Sequence, residues 1–144
     1  MSENYYVSDN KHLLSLKTIH EFLSSSYWAK NIPMLIMQKA IDNSFTFGVY
    51  TNKDEQVGFA RVITDYATFA YLADVFILEK HRGKGLSKML IQYILKQPSL
   101  QGLRRMVLVT ADAHKLYEGY GFTPLNKAEG FMEIWQPTIY SPKT

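Results

Sequence analysis

The chain has no cysteine, which excludes disulfide staples, thiolate metal sites and a cysteine nucleophile. It also lacks any apolar run near the roughly 20 residues that cross a bilayer as a helix. The start, Met1-Ser2-Glu3-Asn4-Tyr5-Tyr6, has no basic segment followed by an apolar stretch, the mark of an exported chain. These absences lead to the expectation of a soluble, cytoplasmic protein with no membrane partner. Repetitive polar sequence is missing as well. With 20% charged and 14% aromatic residues, the disordered and fibrous classes are set aside. There is no repeat and no linker, so residues 1–144 are expected to form one domain.

What is present is an apolar content of 47%, enough for one packed core, and a net charge of +3. The positive residues bunch at Lys80, Arg82, Lys84, Lys88 and Arg104-Arg105 instead of forming a long stripe. Such bunching fits a small polyanion better than a duplex, and no interleaving of aromatic and basic residues points to a single strand. A nucleic-acid partner is therefore not expected.

Hydrophobic periodicity divides the chain. An edge strand near Tyr5 precedes helical spacing at Leu13, Leu14, Leu16, Ile19, Phe22 and Leu23, and Pro33 opens a second helical run through Met34, Leu35, Met37 and Ile41. Strand chemistry follows in Phe45 to Tyr50, Val57 to Thr64 and Thr68 to Leu78, with a turn at Asn52-Lys53-Asp54-Glu55, and it predicts an antiparallel meander. Leu86, Met89, Leu90, Tyr93, Ile94 and Leu95 form an amphipathic helix that stops before Pro98. A short buried strand from Met106 to Thr110, a helix from Ala113 to Tyr120 and a last strand from Phe131 to Trp135 complete the reading. Strand, glycine loop, helix, strand implies a parallel pair joined by a crossover helix.

The chemistry concentrates at the junction of that unit. Arg82-Gly83-Lys84-Gly85-Leu86-Ser87 follows a strand and opens a helix. Glycines let the backbone approach an anion, successive amides form a concavity, and the positive end of the helix adds attraction. Alone, Gly-x-Gly is equally a plain turn. The Walker pattern does not fit, and the dinucleotide fingerprint fails because Lys88 stands where a third small residue belongs.

Arg82-x-x-Gly85-x-Ser87 resembles the acyl-CoA loop of the GNAT acetyltransferase superfamily, with serine in place of the usual final glycine or alanine. Ala113-His114-Lys115-Leu116-Tyr117-Glu118-Gly119-Tyr120-Gly121-Phe122 is similar to the later Leu-Tyr-x-x-x-Gly-Phe block of the same family. The resemblance spans about Phe45 to Phe122. It implies a mixed α/β fold: a mostly antiparallel sheet with a parallel pair splayed at the acetyl-CoA site, and helices on both faces. It further implies that acetyl-CoA is the co-substrate and that no metal takes part. Its pyrophosphate would lie on Arg82, Gly83, Lys84, Gly85, Leu86, Ser87 and Lys88, with Arg104 or Arg105 near the 3'-phosphate and the main chain of Val75, Phe76 and Ile77 along the pantetheine arm. Thr110 stands where many members have asparagine.

Tyr117 matches the family's general acid, and a phenol of ordinary pKa about 10 is protonated at neutral pH. The base is open among Asp65, Asp74, Glu133 and His114, with Asp74 favoured for its place on the cofactor strand. Tyr27, Trp28 and Arg61, with Phe131 and Trp135, are candidates to line a pocket for a small-molecule or peptide amine, aromatic faces suiting a cationic or ring-bearing acceptor. The expected function is transfer of an acetyl group to that amine by direct attack, in a monomer or homodimer. A catalytically inactive acyl-CoA-binding or regulatory module of the same fold is the alternative.

Overall fold

The computed structural model describes residues 4–141. Chain order runs β1 (Tyr5–Ser8), α1 (Leu16–Leu23), α2 (Met34–Asp42), β2 (Phe45–Thr51), β3 (Gln56–Thr64), β4 (Phe69–Ile77), α3 (Leu86–Leu95), β5 (Arg105–Leu108) and α4 (His114–Glu118). The strands form one five-stranded sheet in that same order. The first four pair antiparallel, and β5 lies parallel to β4.

Helices cover both faces, as expected. The Ser15 side chain caps α1 by accepting from the Thr18 amide, and Pro33 sets the start of α2. Ile19 and Leu23 of α1 and Met37 and Ile41 of α2 pack on Phe59 and Phe76. On the other face, Leu86, Leu90, Ile91 and Ile94 of α3 meet Phe47, Val49, Val62 and Leu72. Each fully buried side chain of this size contributes about 1.5–3 kcal/mol, so the two faces hold the sheet between them.

Two irregularities open the sheet. Arg61 pairs with Ala73 and Phe59 with Phe76, so Asp74 and Val75 oppose Ala60 alone in a β-bulge, and Asp74 takes a left-handed φ of 55°. In addition, the parallel pairing ends at Leu72 and Leu108, while β4 continues to Ile77. Residues 73–77 therefore have β3 on one side and no strand on the other. The parallel pair is splayed.

Several boundaries differ from the sequence reading. Strand β5 is shorter than Met106 to Thr110, and α4 shorter than Ala113 to Tyr120. The last strand, Phe131 to Trp135, does not form. Its residues are apolar and strand-prone, but a strand needs a neighbour for its main-chain groups. Phe131 instead packs beneath the Arg105 guanidinium, 5.0 Å from it. The aromatic signal was real; the ladder partner is missing.

Candidate active site

The loop after β4 is a cradle of open amides. A 3-10 turn at Glu79–His81 leads into it, and Gly83 and Gly85 adopt φ of 78° and 75°, conformations that suit glycine. A Cβ at either position would meet nothing within 4 Å, so the space beside both residues is open. Gly85 caps α3, placing the free amides of the first helical turn at the mouth of a cleft of about 200 Å³. That cleft is lined by Ile77 from the strand, by Arg82, Gly83, Gly85, Ser87 and Lys88 from the loop and helix, and by Leu116 of α4. Donor chemistry, charge and open space fit a pyrophosphate.

The side chains around the loop divide. Arg82 Nε donates to the Ile77 carbonyl at 2.9 Å and so ties the loop to the strand end. Lys84 turns toward β1, where its Nζ donates to the Tyr5 hydroxyl at 3.2 Å and stands 5.7 Å from that ring. The same hydroxyl shares a 2.8 Å hydrogen bond with His81 Nδ1. His81 lines the cleft, and neither it nor Tyr5 was singled out by sequence. Arg104 and Arg105 are not brought to the loop. Arg105 pairs with Phe69 at the opposite end of β4.

Tyr117 lies beside the cleft, one residue from Leu116. It is 8% exposed, edge-on to Phe122 at 5.7 Å, and its hydroxyl has no hydrogen-bond partner among the described residues. Burial pushes its pKa above the ordinary phenol value, and the charge of Asp112 adds to the shift. Thr110 accepts from the Ala113 amide at 3.0 Å and so shapes the entry to α4.

On the α1/α2 face the bulge assembles a polar cluster. Trp28 Nε1 donates to Asp74 Oδ1 at 2.8 Å. Arg61 donates through Nε to Asp74 Oδ2 and through a terminal nitrogen to Ser44 Oγ at 3.1 Å. Tyr27 meets Trp28 edge-on at 5.1 Å, and Phe22 stacks on Phe76 at 4.0 Å. Tyr71, missed by the sequence reading, belongs here: burial and the Asp74 charge raise its pKa while Arg61 lowers it. An alternate position on β4 was the only available signal.

The other candidate bases lie elsewhere. Asp65 accepts from the amides of Ala67, Thr68 and Phe69 and from the Thr68 hydroxyl, closing the β3–β4 turn. His114 and Glu133 are exposed. Among the described residues, no cluster of three or more His, Asp or Glu could hold a metal ion, and no helix is long and apolar enough to cross a membrane.

The sequence profile of the acetyltransferase (GNAT) family matches residues 16–122, which takes in the sheet, the loop, α3 and Tyr117. The chain belongs to the GNAT family. An acetyltransferase homologue from Gibberella zeae is 35% identical over 136 residues, covering 79% of this chain and 76% of that one. The crystal structure of a GNAT-family protein from Xanthomonas campestris, 50% identical, superposes with a TM-score of 0.94 over 96% of this chain and 98% of its own. At the level of fold, a Clostridium acetobutylicum acetyltransferase solved with acetyl-CoA superposes with a TM-score of 0.64 at 14% identity, over 92% of this chain and 96% of that one. A GNAT fold, an acyltransferase class and acetyl-CoA as the family's acyl donor are thereby established.

Proposed function

We propose that this GNAT protein transfers an acetyl group from acetyl-CoA to an amine of a small molecule or peptide by direct attack, in the cytoplasm. The observation that carries this reading is the continuity between the unpaired edge of residues 73–77 and the amide cradle at the start of α3. Acetyl-CoA, when bound, supplies the activated acyl group. The amides from Gly83 to Lys88 hold its pyrophosphate, and Arg82 keeps the loop in place through Ile77. The main chain of Val75, Phe76 and Ile77 offers strand-like pairing to the pantetheine arm, so substitution of their side chains matters little.

Tyr117 gives its hydroxyl proton to the departing thiolate. A phenol with a raised pKa is fully protonated at neutral pH, as that role requires. On the acceptor side, Tyr27 and Trp28 present aromatic faces beside Arg61. Asp74 sits closest to this wall, yet each of its oxygens already receives a donor. We therefore assign it the orientation of Trp28 and Arg61, and assign the amine proton to solvent.

The test is release of free thiol from acetyl-CoA across a panel of small amines and peptide amines. CoA should appear only when protein and a competent amine are both present. Tight acetyl-CoA binding with no thiol release for any amine would favour the inactive module instead, and absence of acetyl-CoA binding would overturn both.

A further inference from the structure

The segment that fails to become a strand leaves its apolar side chains in solvent. Met132 is 95% exposed, Ile134 96%, Trp135 71%, and Val109, just beyond β5, 84%. Single exposed apolar residues are ordinary, but contiguous ones mark docking surfaces. The segment is anchored at both ends. Phe131 lies under Arg105 at the start of β5, and Tyr140 packs against the α1/α2 core. Between these anchors residues 131–135 join no ladder. Meanwhile β5 is an edge strand, hydrogen-bonded to β4 alone among the described strands.

One chain thus carries an open sheet edge and a strand-prone segment without a ladder. We propose that this protein forms a twofold dimer in which residues 131–135 of each copy add to the β5 edge of the other. One symmetric contact then satisfies both deficits twice. Alternation puts Phe131, Glu133 and Trp135 on one side of the segment and Met132 and Ile134 on the other. Apolar side chains on both sides suit a strand covered on both faces.

Charge and area agree with a second copy as the occupant. Glu133 has no ion-pair partner among the described residues, while Arg104 and Arg105 stand exposed at the start of β5, so the added strand brings a carboxylate to a basic edge. Val109, Met132, Ile134 and Trp135 each offer on the order of 100–200 Å². Doubled by symmetry, with the backbone included, this approaches the roughly 1,200–2,000 Å² buried in a stable interface. Since the chain has no cysteine, the dimer is indifferent to reductant.

Light scattering on the full chain, from micromolar concentration upward, tests the proposal. The parent should show twice the chain mass, and Met132→Glu/Ile134→Glu the mass of one chain with an unchanged circular dichroism spectrum and Tm, because both side chains are solvent-exposed in the isolated fold. Met132→Gln/Ile134→Gln asks the same question without added charge, should the glutamates disturb folding, and should shift the dissociation midpoint to at least about tenfold higher concentration, or 1.4 kcal/mol. A parent that stays monomeric at every concentration, or dimers that both double variants leave intact, would overturn the proposal.

Discussion

The indole Nε1 of Trp28 donates to Oδ1 of Asp74 at 2.8 Å, joining the loop after α1 to the bulge of the cofactor strand. Because Arg61 occupies the other oxygen, this carboxylate has a positioning role, and Asn and Ala should separate that role from proton abstraction. Asn keeps an acceptor oxygen and tolerates the left-handed φ. Ala loses both contacts and strains the bulge. We expect Asp74→Asn to retain most of kcat and Asp74→Ala to raise the acceptor KM and lower stability by about 1–3 kcal/mol. Steady-state kinetics of both variants decide the matter: equal losses of kcat of about a hundredfold or more would make Asp74 the base.

Tyr117→Phe removes one hydroxyl and keeps the ring that packs on Phe122. Acetyl-CoA affinity and fold should persist while kcat falls on the order of 10² to 10⁴. Since burial raises the phenol pKa, the parent should show no alkaline loss of activity from this group below its ordinary value of about 10. A kcat for the variant within about threefold of the parent, with chemistry rate-limiting, would remove Tyr117 from the mechanism.

At Gly85 the added Cβ meets open space but the φ of 75° remains. Gly85→Ala should therefore cost about 1–2 kcal/mol through backbone strain. Gly85→Glu adds a negative charge beside the phosphate cradle, and calorimetry should find acetyl-CoA binding abolished in a protein that still folds. Undiminished affinity in that variant would place the pyrophosphate elsewhere.

Asp65 supplies a pH signature. The hydroxyl and amide of Thr68, then the amides of Ala67 and Phe69, hold its carboxyl well below the usual range. A depressed folded pKa means that the stabilisation is full above the unfolded value of about 4 and is lost as pH falls below it. The Tm of Asp65→Ala should lie below that of the parent at neutral pH, and the gap should narrow on acidification. Parallel Tm curves down to acid pH would contradict this.

The helices, the meander and the glycine loop were legible because each rests on local chemistry: Ser15 as a cap, Pro33 as a start, alternation through β2 and β3. Legibility ended where distant residues decide. Asp74 reads as a plain carboxylate on a strand, and only the β3–β4 register turns it into a bulge holding Trp28. Lys84 reads as a phosphate ligand until Tyr5, far away in sequence, claims its ammonium. Phe131 to Trp135 has the composition of a strand, and composition carries no information about whether a neighbour is there to bond.

The Tyr5 hydroxyl, shared by His81 and Lys84, makes the first strand of the chain a brace for a loop formed 76 residues later. A four-residue edge strand near a terminus ordinarily frays independently of the interior. Here fraying would release the loop's brace as well, so opening at the amino end and loosening of the cradle belong to one cooperative unit. Ligand captured by the loop should therefore slow amide hydrogen exchange in β1, beyond the reach of any direct contact, and Tyr5→Phe should uncouple the two.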